Sequence, residues 1–564
     1  MGRRRLYDTF GGGERGTLET GTSETGTSDD GTSETSEGGG RRPRTDEAPP
    51  PLGLWSLAVL VFYNVSGGPF GIESAVRAGG NLFAVLGFAA GPLVWSVPEA
   101  LVTAELGSAL PGASGGVAWV EEAFGDAAAT LAGTLGWVSG ATDNAVYPAL
   151  FLDYASGVVG AGAGGGLVGW TRFLTLSAVT VALALLNYAG LEIVGRSSIL
   201  LCLLSMSPFV VLTIMGLPRV VPSRWLRTPV GPAENGEPSL LDDDFQTSSG
   251  PLPLPTLGGV LWRPYLNNLF WNLNSFDSAA SFAGETADFE RTYPRGVFVG
   301  LVMTIASYLV PLMVAVGATD YPQEEWVDGF LGRVAVDVGG GWLGAWVVFA
   351  AGVSNLGLFE AELSADSFQL MGMAERGYLP RVFGRRSPRH GTPSVGILFS
   401  ACVIVVLCTA DFESLLQLLN SVYSISLLLE YAAFVKLRLC RKDLPRPYRI
   451  PIPDWAAPLL VLPPVTGILV ILAISNWYVY MFSIGSVAIG VGLFKLMEVC
   501  KRREWLEFEV VDRHLDYDMA QMSEDSTTES PASPRDTRGG NGMAHRVSPR
   551  EGGYDDDNDV KGMT

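Results

Sequence analysis

Eight carboxylates fall inside stretches otherwise apolar enough to lie in a bilayer: Glu73, Glu99, Asp143, Asp277, Glu285, Glu360, Glu362 and Glu430. No Lys or Arg lies near the middle of these stretches to pair with them, so structural ion pairing is a poor general account. Acids at bilayer depth are costly, and they mark cavities and proton paths. Two chemistries suit them, cation binding and proton carriage. A carboxylate ~4 Å from an ammonium gains ~4 kcal/mol at intermediate dielectric, before desolvation, and a polycation with spaced ammonium groups would satisfy several acids at once. A carboxylate that is neutral in one state and ionised in another can link a substrate to a proton. Glu99 and Asp143 are the candidates for that role.

Aromatic residues accompany the acids. Tyr147 lies one helical turn from Asp143 on the same face. Trp271 and Phe276 flank a polar interruption, and Tyr423 lies in a later apolar stretch. Such rings can hold a cation or its methylene chain at ~0.5–2 kcal/mol per contact; ordinary packing is the alternative, at least as good for Phe276. The three histidines, His390, His514 and His545, all fall outside the apolar stretches, and the five cysteines show no paired spacing. Neither a disulfide framework nor a metal or other cofactor is expected.

The elements that must position these groups are interrupted helices. "VSGGPFGIE" (65–73) places Gly67, Gly68 and Pro69 inside an apolar run, with Glu73 just beyond. Gly weakens a helix and Pro removes a backbone donor. Five spans later, "FWNLNSFDSAASFAGE" (270–285) crowds Asn272, Asn274, Ser275 and Asp277 together, residues that compete with helical hydrogen bonds. Non-helical backbone at bilayer depth survives only where protein or a watery cavity satisfies it. Either break alone could be a packing kink. Two breaks at matching places in two five-span halves, each beside an acid, point to an inverted-repeat transporter with its site at the breaks.

About twelve segments meet the length of ~20 apolar residues that a membrane helix needs, from 54–80 and 82–108, through 264–287 for the sixth, to 477–499 for the last. Mean hydropathy is positive and 48% of residues are apolar. The expected architecture is an all-α membrane protein of five plus five inverted spans with two more appended. It comprises a transporter domain over 52–500 and tails over 1–51 and 501–564 that lack residues to bury and are expected to be disordered. Of the formal net charge of −20, segment 51–500 keeps −11, which argues against nucleic acid as a partner and admits a cationic substrate. Basic residues cluster in 375–390, 436–449 and 501–503, whereas Asp242–Asp244 and 320–328 are acidic. The positive-inside rule then puts both termini in the cytoplasm.

Beyond these generic signals, "LPGASGGVAWVEEAFG" (110–125) resembles the cytoplasmic loop of the amino acid–polyamine–organocation superfamily. "WSVPEALVTAELG" (95–107), "SGATDNAVYPALFLDY" (139–154), "WNLNSFDS" (271–278), "SADSFQLMGMAERGYLP" (364–380) and "RPYRIPIP" (446–453) are similar to the polyamine-uptake branch of plants and protists. That resemblance covers about residues 52–500. It implies an importer that brings putrescine, spermidine or related polyamines in with protons, by alternating access; the plasma membrane is the default address. It also implies a site between the first, third, sixth, eighth and tenth spans. Carried over on that pattern are Gly67, Gly68, Glu73, Asp143, Tyr147, Trp271, Asn274, Asp277 and Tyr423. Glu360 departs from the branch's apolar habit; it either adds charge to the cavity or faces lipid or a loop. The fifth span has no central lysine, so the coupling scheme built on one elsewhere in the superfamily does not transfer.

The nearest rival is the same machine carrying cationic amino acids, whose α-carboxylate would need break amides that Glu73 repels it from. A sensor that binds without transporting is a further alternative. An enzyme is disfavoured, since no nucleophile–base pair or phosphate loop stands out.

Overall fold

The computed structural model describes residues 52–158, 169–229, 259–408 and 412–509, and of these nothing is said of the side chains of 153–158 and 412–414. The two tails, apart from 501–509, and the Asp242–Asp244 loop lie outside the described residues. Sixteen α-helices make up the described fold, joined by short 3₁₀ turns. Eight helical segments are long and apolar enough to cross a membrane, and two apolar helices are shorter. Several of the expected spans are helices in two pieces, and their breaks follow from local backbone chemistry.

Helix α1 (Leu54–Val65) stops where Ser66 turns extended. Gly68 and Gly71 then take φ of 97° and 85° around Pro69, left-handed values that a side chain disfavours. Helix α2 (Ile72–Val94) starts immediately after, is bent where Gly80 leaves helical geometry, and hands over at Trp95 to α3 (Ser96–Ala109). The expected boundary near residue 81 is therefore a bend. Short α4 (Gly116–Phe124) precedes α5 (Asp126–Asn144) and α6 (Val146–Val158), which together make the third expected span. After α7 (Gly169–Tyr188) and α8 (Leu191–Gly216), the sixth span divides. Helix α9 (Trp262–Leu273) ends, Ser275 turns left-handed at φ 78°, and Phe276–Glu285 continues as a 3₁₀ helix.

The remaining helices are α10 (Phe289–Ala318), α11 (Phe330–Gly339), α12 (Gly341–Glu375), α13 (Ser394–Leu407), α14 (Phe412–Cys440), α15 (Ala457–Ala473) and α16 (Trp477–Arg502). Helix α5 packs on α14 and α12, α1 packs on α10 and α8, and α9 packs on α2. Of three apolar clusters among the described residues, the two larger contain Trp119, Phe270 and Tyr423 in one and Tyr63, Tyr147 and Phe276 in the other. The site residues lie where these clusters meet.

One end of the bundle is tied by ion pairs. Arg376 bridges Glu121 at 2.6 Å, and Arg386 meets Glu285 at 2.7 Å. Glu285, expected as a lone acid inside a span, is thus an ion-paired residue at the end of one. Its partner comes from a loop more than one hundred residues away, which sequence proximity could not reveal. At the same end Glu105, fully buried, pairs with Arg438 and Arg446 and accepts the Ile450 amide at 2.8 Å. At the opposite end Asp320 pairs with Arg227, whose guanidinium holds that exposed carboxyl below its usual range.

Candidate functional site

Broken helices leave backbone groups that must find partners elsewhere, and here side chains supply them. At the first break, Ser354 of α12 donates to the Gly67 carbonyl, and Asn268 of α9 donates to the Gly71 carbonyl at 2.7 Å. The Gly68 amide donates to Ser66 Oγ (3.1 Å) and the Gly71 amide to Glu73 Oε2 (3.0 Å). At the second break, Ser96 of α3 donates to the Leu273 carbonyl at 2.7 Å. The Phe276 and Asp277 amides both donate to Glu99 Oε1, at 2.6 and 3.3 Å, and the Ser275 amide donates to the Tyr423 hydroxyl at 3.0 Å. Five amides at the two breaks are therefore occupied by the chain's own side chains, three of them by carboxylates.

Two adjoining chambers lie between the breaks. The first, about 660 Å³, is walled by α5, α12, α14 and the second break. The second, about 620 Å³, is walled by the first break with α6, α10 and α12. The two chambers share Asp143, Trp271 and Ser275, and Trp271 Nε1 donates to Asp143 Oδ1 at 3.1 Å across that boundary. Among the described residues, no Lys, Arg or His lines either chamber. Asp143, Asp277, Glu362, Asp366 and Glu430 line the first. The second is more apolar, with Phe70, Tyr147, Leu150, Tyr308 and Leu358 beside Asp143, Asp328, Asn64 and Asn355.

Most of the expected site residues converge here. Gly67 and Tyr147 line the second chamber; Asn274, Asp277 and Tyr423 line the first; Asp143 and Trp271 line both. Tyr147 hydrogen-bonds Asp143, as its spacing suggested, and also Glu362. Asn274 leaves Oδ1 without a hydrogen-bond partner among the described residues while its Nδ2 donates to Phe270 O. Gly68 is part of the break, but a Cβ there would run into Met206. Glu99, 1% exposed, sits behind the first chamber with Oε2 unpartnered. The Tyr423 hydroxyl lies 2.9 Å from Glu99 Oε1 and 2.6 Å from Asp277 Oδ1, so one phenolic proton faces two acids.

Four expected residues line neither chamber: Gly68 and Glu99, placed above, and Glu73 and Glu360. Glu73 is fully buried, but its carboxylate is turned onto the Gly71 amide and the Leu331 amide of α11. Glu360 is also fully buried and accepts from Asn187 of α7 at 3.3 Å, lining neither chamber. It faces the protein interior, neither lipid nor a loop. Glu362 and Glu430, counted among the intramembrane acids but not carried into the site, line the first chamber, and so does Asp366, which was not singled out. A signal existed: Glu362, Asp366 and Gln369 recur at i, i+4 and i+7, one face of a helix. Glu360 and Glu362 are separated by about 200° around the same helix and cannot share that face.

The amino acid permease family model matches residues 52–495 of the chain. A probable polyamine transporter of Arabidopsis thaliana is 41% identical over 460 residues, covering 81% of this chain and 86% of that protein. The polyamine transporter RMV1 of the same plant is 41% identical over 453 residues, 80% of this chain and 86% of its own. The polyamine transporter PUT1 of Oryza sativa subsp. japonica is 41% identical over 454 residues, 80% of each chain.

Proposed function

The chain belongs to the amino acid permease family and is a multi-pass membrane transporter, not an enzyme; from that premise we propose that it takes up polyamines such as putrescine and spermidine together with protons, by alternating access. One observation carries the substrate class. The amides at both breaks that could receive an α-carboxylate are held by Glu73, Glu99, Ser66 and Tyr423, and the adjoining chambers offer carboxylates with no basic side chain. A polyamine has ammonium groups and no carboxylate, so it matches both facts. An amino acid would have to displace the chain's own acids from those amides.

The proton enters at Glu99, Asp277 and Tyr423. If both acids were ionised, the single Tyr423 proton could serve only one, leaving the other oxygen pressed against a lone pair. A proton on one acid completes the set: Tyr423 donates to one carboxyl and accepts from the other. With the proton on Glu99, Asp277 stays ionised and pairs with an arriving ammonium, so proton and substrate are held in the same state. Asp143, bonded to Trp271 at the boundary of the chambers, is the acid that an ammonium meets in passing from one to the other. In this reading the molecule has twelve spans in an inverted five-plus-five arrangement with two appended. The end bearing Arg376 and Arg438 faces the cytoplasm with both termini, and the plasma membrane is the address.

The test is uptake of radiolabelled spermidine into proteoliposomes, with and without an inward proton gradient, by the native chain and Glu99→Gln. The native chain is expected to accumulate spermidine only with the gradient, and the variant to exchange it without accumulation. Uptake of arginine or lysine but not spermidine would move the protein to the amino-acid reading.

A further inference from the structure

The first chamber is a trough, and its acids stand at separate levels. Gly136, Gly140 and Asp143 on α5, Glu362, Asp366 and Gln369 on α12, and Tyr423 and Glu430 on α14 all line it, at spacings that keep each set on one helix face. The glycines make the room: a Cβ at Gly140 would meet the Asp366 carboxylate, one at Gly136 the Gln369 amide, and one at Gly116 the Glu430 carboxylate. These contacts order the trough from Asp143 and Glu362, bridged by Tyr147, down to Glu430 against the start of α4. Seven residues separate Tyr423, beside Asp277, from Glu430, which is ~10 Å at 1.5 Å rise per residue.

Among the described residues Glu430 makes no hydrogen bond to Glu99, Asp277 or Tyr423, although its charge is felt by all three. It is 5% exposed, lines the trough, and leaves Oε2 without a hydrogen-bond partner among the described residues. A buried polar atom without a partner is costly, and this one belongs to a residue of the trough wall.

Resting on the polyamine reading above, we propose that Glu430 is a distal ammonium subsite that selects substrates by length. A linear polyamine lies along the trough with one ammonium at Asp277 and another at Glu430. Extended chain advances ~1.2 Å per bond, since three bonds span ~3.5 Å. Nine bonds between terminal nitrogens, as in an eight-carbon diamine or spermidine, give ~11 Å, whereas the five bonds of putrescine give ~6 Å. The longer chain reaches both levels, and the shorter one reaches a single level.

The experiment is calorimetric titration of the purified full-length chain in detergent with butane-1,4-diamine and octane-1,8-diamine, for the native protein and Glu430→Gln. Methylene burial favours the longer probe in both proteins, so the quantity read is the native-to-variant affinity ratio for each probe. The ratio is expected to be about tenfold for the eight-carbon diamine, or ~1.4 kcal/mol, and within about twofold for the four-carbon one. Equal ratios for the two probes would overturn the subsite while leaving the polyamine reading intact. Failure of the native chain to bind either diamine would overturn both. Should Glu430→Gln not fold, Gly116→Ala, whose methyl displaces the Glu430 carboxylate, is expected to lower eight-carbon affinity selectively, and an equal loss for both probes again overturns the proposal.

Discussion

Tyr423 concentrates the residue-scale chemistry, because one hydroxyl touches two carboxyls and receives the Ser275 amide. Its ring also packs 6.0 Å from Phe270, so Tyr423→Phe removes the hydroxyl and keeps the packing. Loss of a hydrogen bond to an ionised group costs about 1.5–3 kcal/mol. Gradient-driven spermidine accumulation is accordingly expected to fall about tenfold or more, with gradient-free exchange retained. Proteoliposome uptake at fixed external pH measures it, and a variant that accumulates normally would remove Tyr423 from coupling. Glu362 and Asp366 illustrate the limit of reading residues singly. Their acidity and helical spacing stand in the chain, but their neighbours, Tyr147 and Asn144 at 3.2 Å from Asp366, come from the far side of the cavity.

At the scale of elements, the first break works only because α12 approaches it closely. A Cβ on Gly67 would stand 2.6 Å from side-chain atoms of Leu358 and Ser354, so those side chains would have to shift, Ser354 away from the Gly67 carbonyl that it holds. Gly67→Ala is therefore expected to lower thermal stability in detergent by about 1–3 kcal/mol and to abolish spermidine uptake. Gly485 in α16 offers the contrast, with nothing within 4 Å of its Cβ position. There Ala improves helix propensity by ~0.5–1 kcal/mol relative to Gly, and Gly485→Ala is expected to melt slightly higher and transport at the native rate. Equal behaviour of the two variants would show that close approach of α12 is not what the glycine serves.

For the whole molecule, the Glu105–Arg438 pair ties α3 to α14 and to the segment leading into α15. Arg438 also donates to the Ile450 and Ile452 carbonyls at 2.9 and 2.8 Å, and its Nε to Asp454 at 2.8 Å. Breaking a buried pair costs about 3–5 kcal/mol, and Arg438→Leu leaves buried Glu105 with Arg446 as its remaining cation. Arg438→Leu is expected to lower the melting temperature sharply. Glu105→Leu/Arg438→Leu is expected to recover only part of the loss: Glu105 is no longer short of a cation, but Arg446 loses its carboxylate. A double variant no better than Arg438→Leu alone would mean that the carbonyl contacts matter more than the ion pair.

From residue types and order alone came the helical membrane class, both interruptions and the stock of intramembrane acids, because Gly, Pro, Asn and Asp act locally on the backbone and hydropathy acts along a single span. Tyr147 against Asp143 was legible for the same reason, being one turn away. What only the tertiary structure decided is which acids work together. Glu73 and Glu360 satisfy amides outside the chambers, Glu285 finds Arg386, and Glu430 ends the trough. Each outcome depends on how helices far apart in the chain face and cross one another. A carboxylate carries no local mark of whether its partner will be an amide, an arginine or an empty cavity.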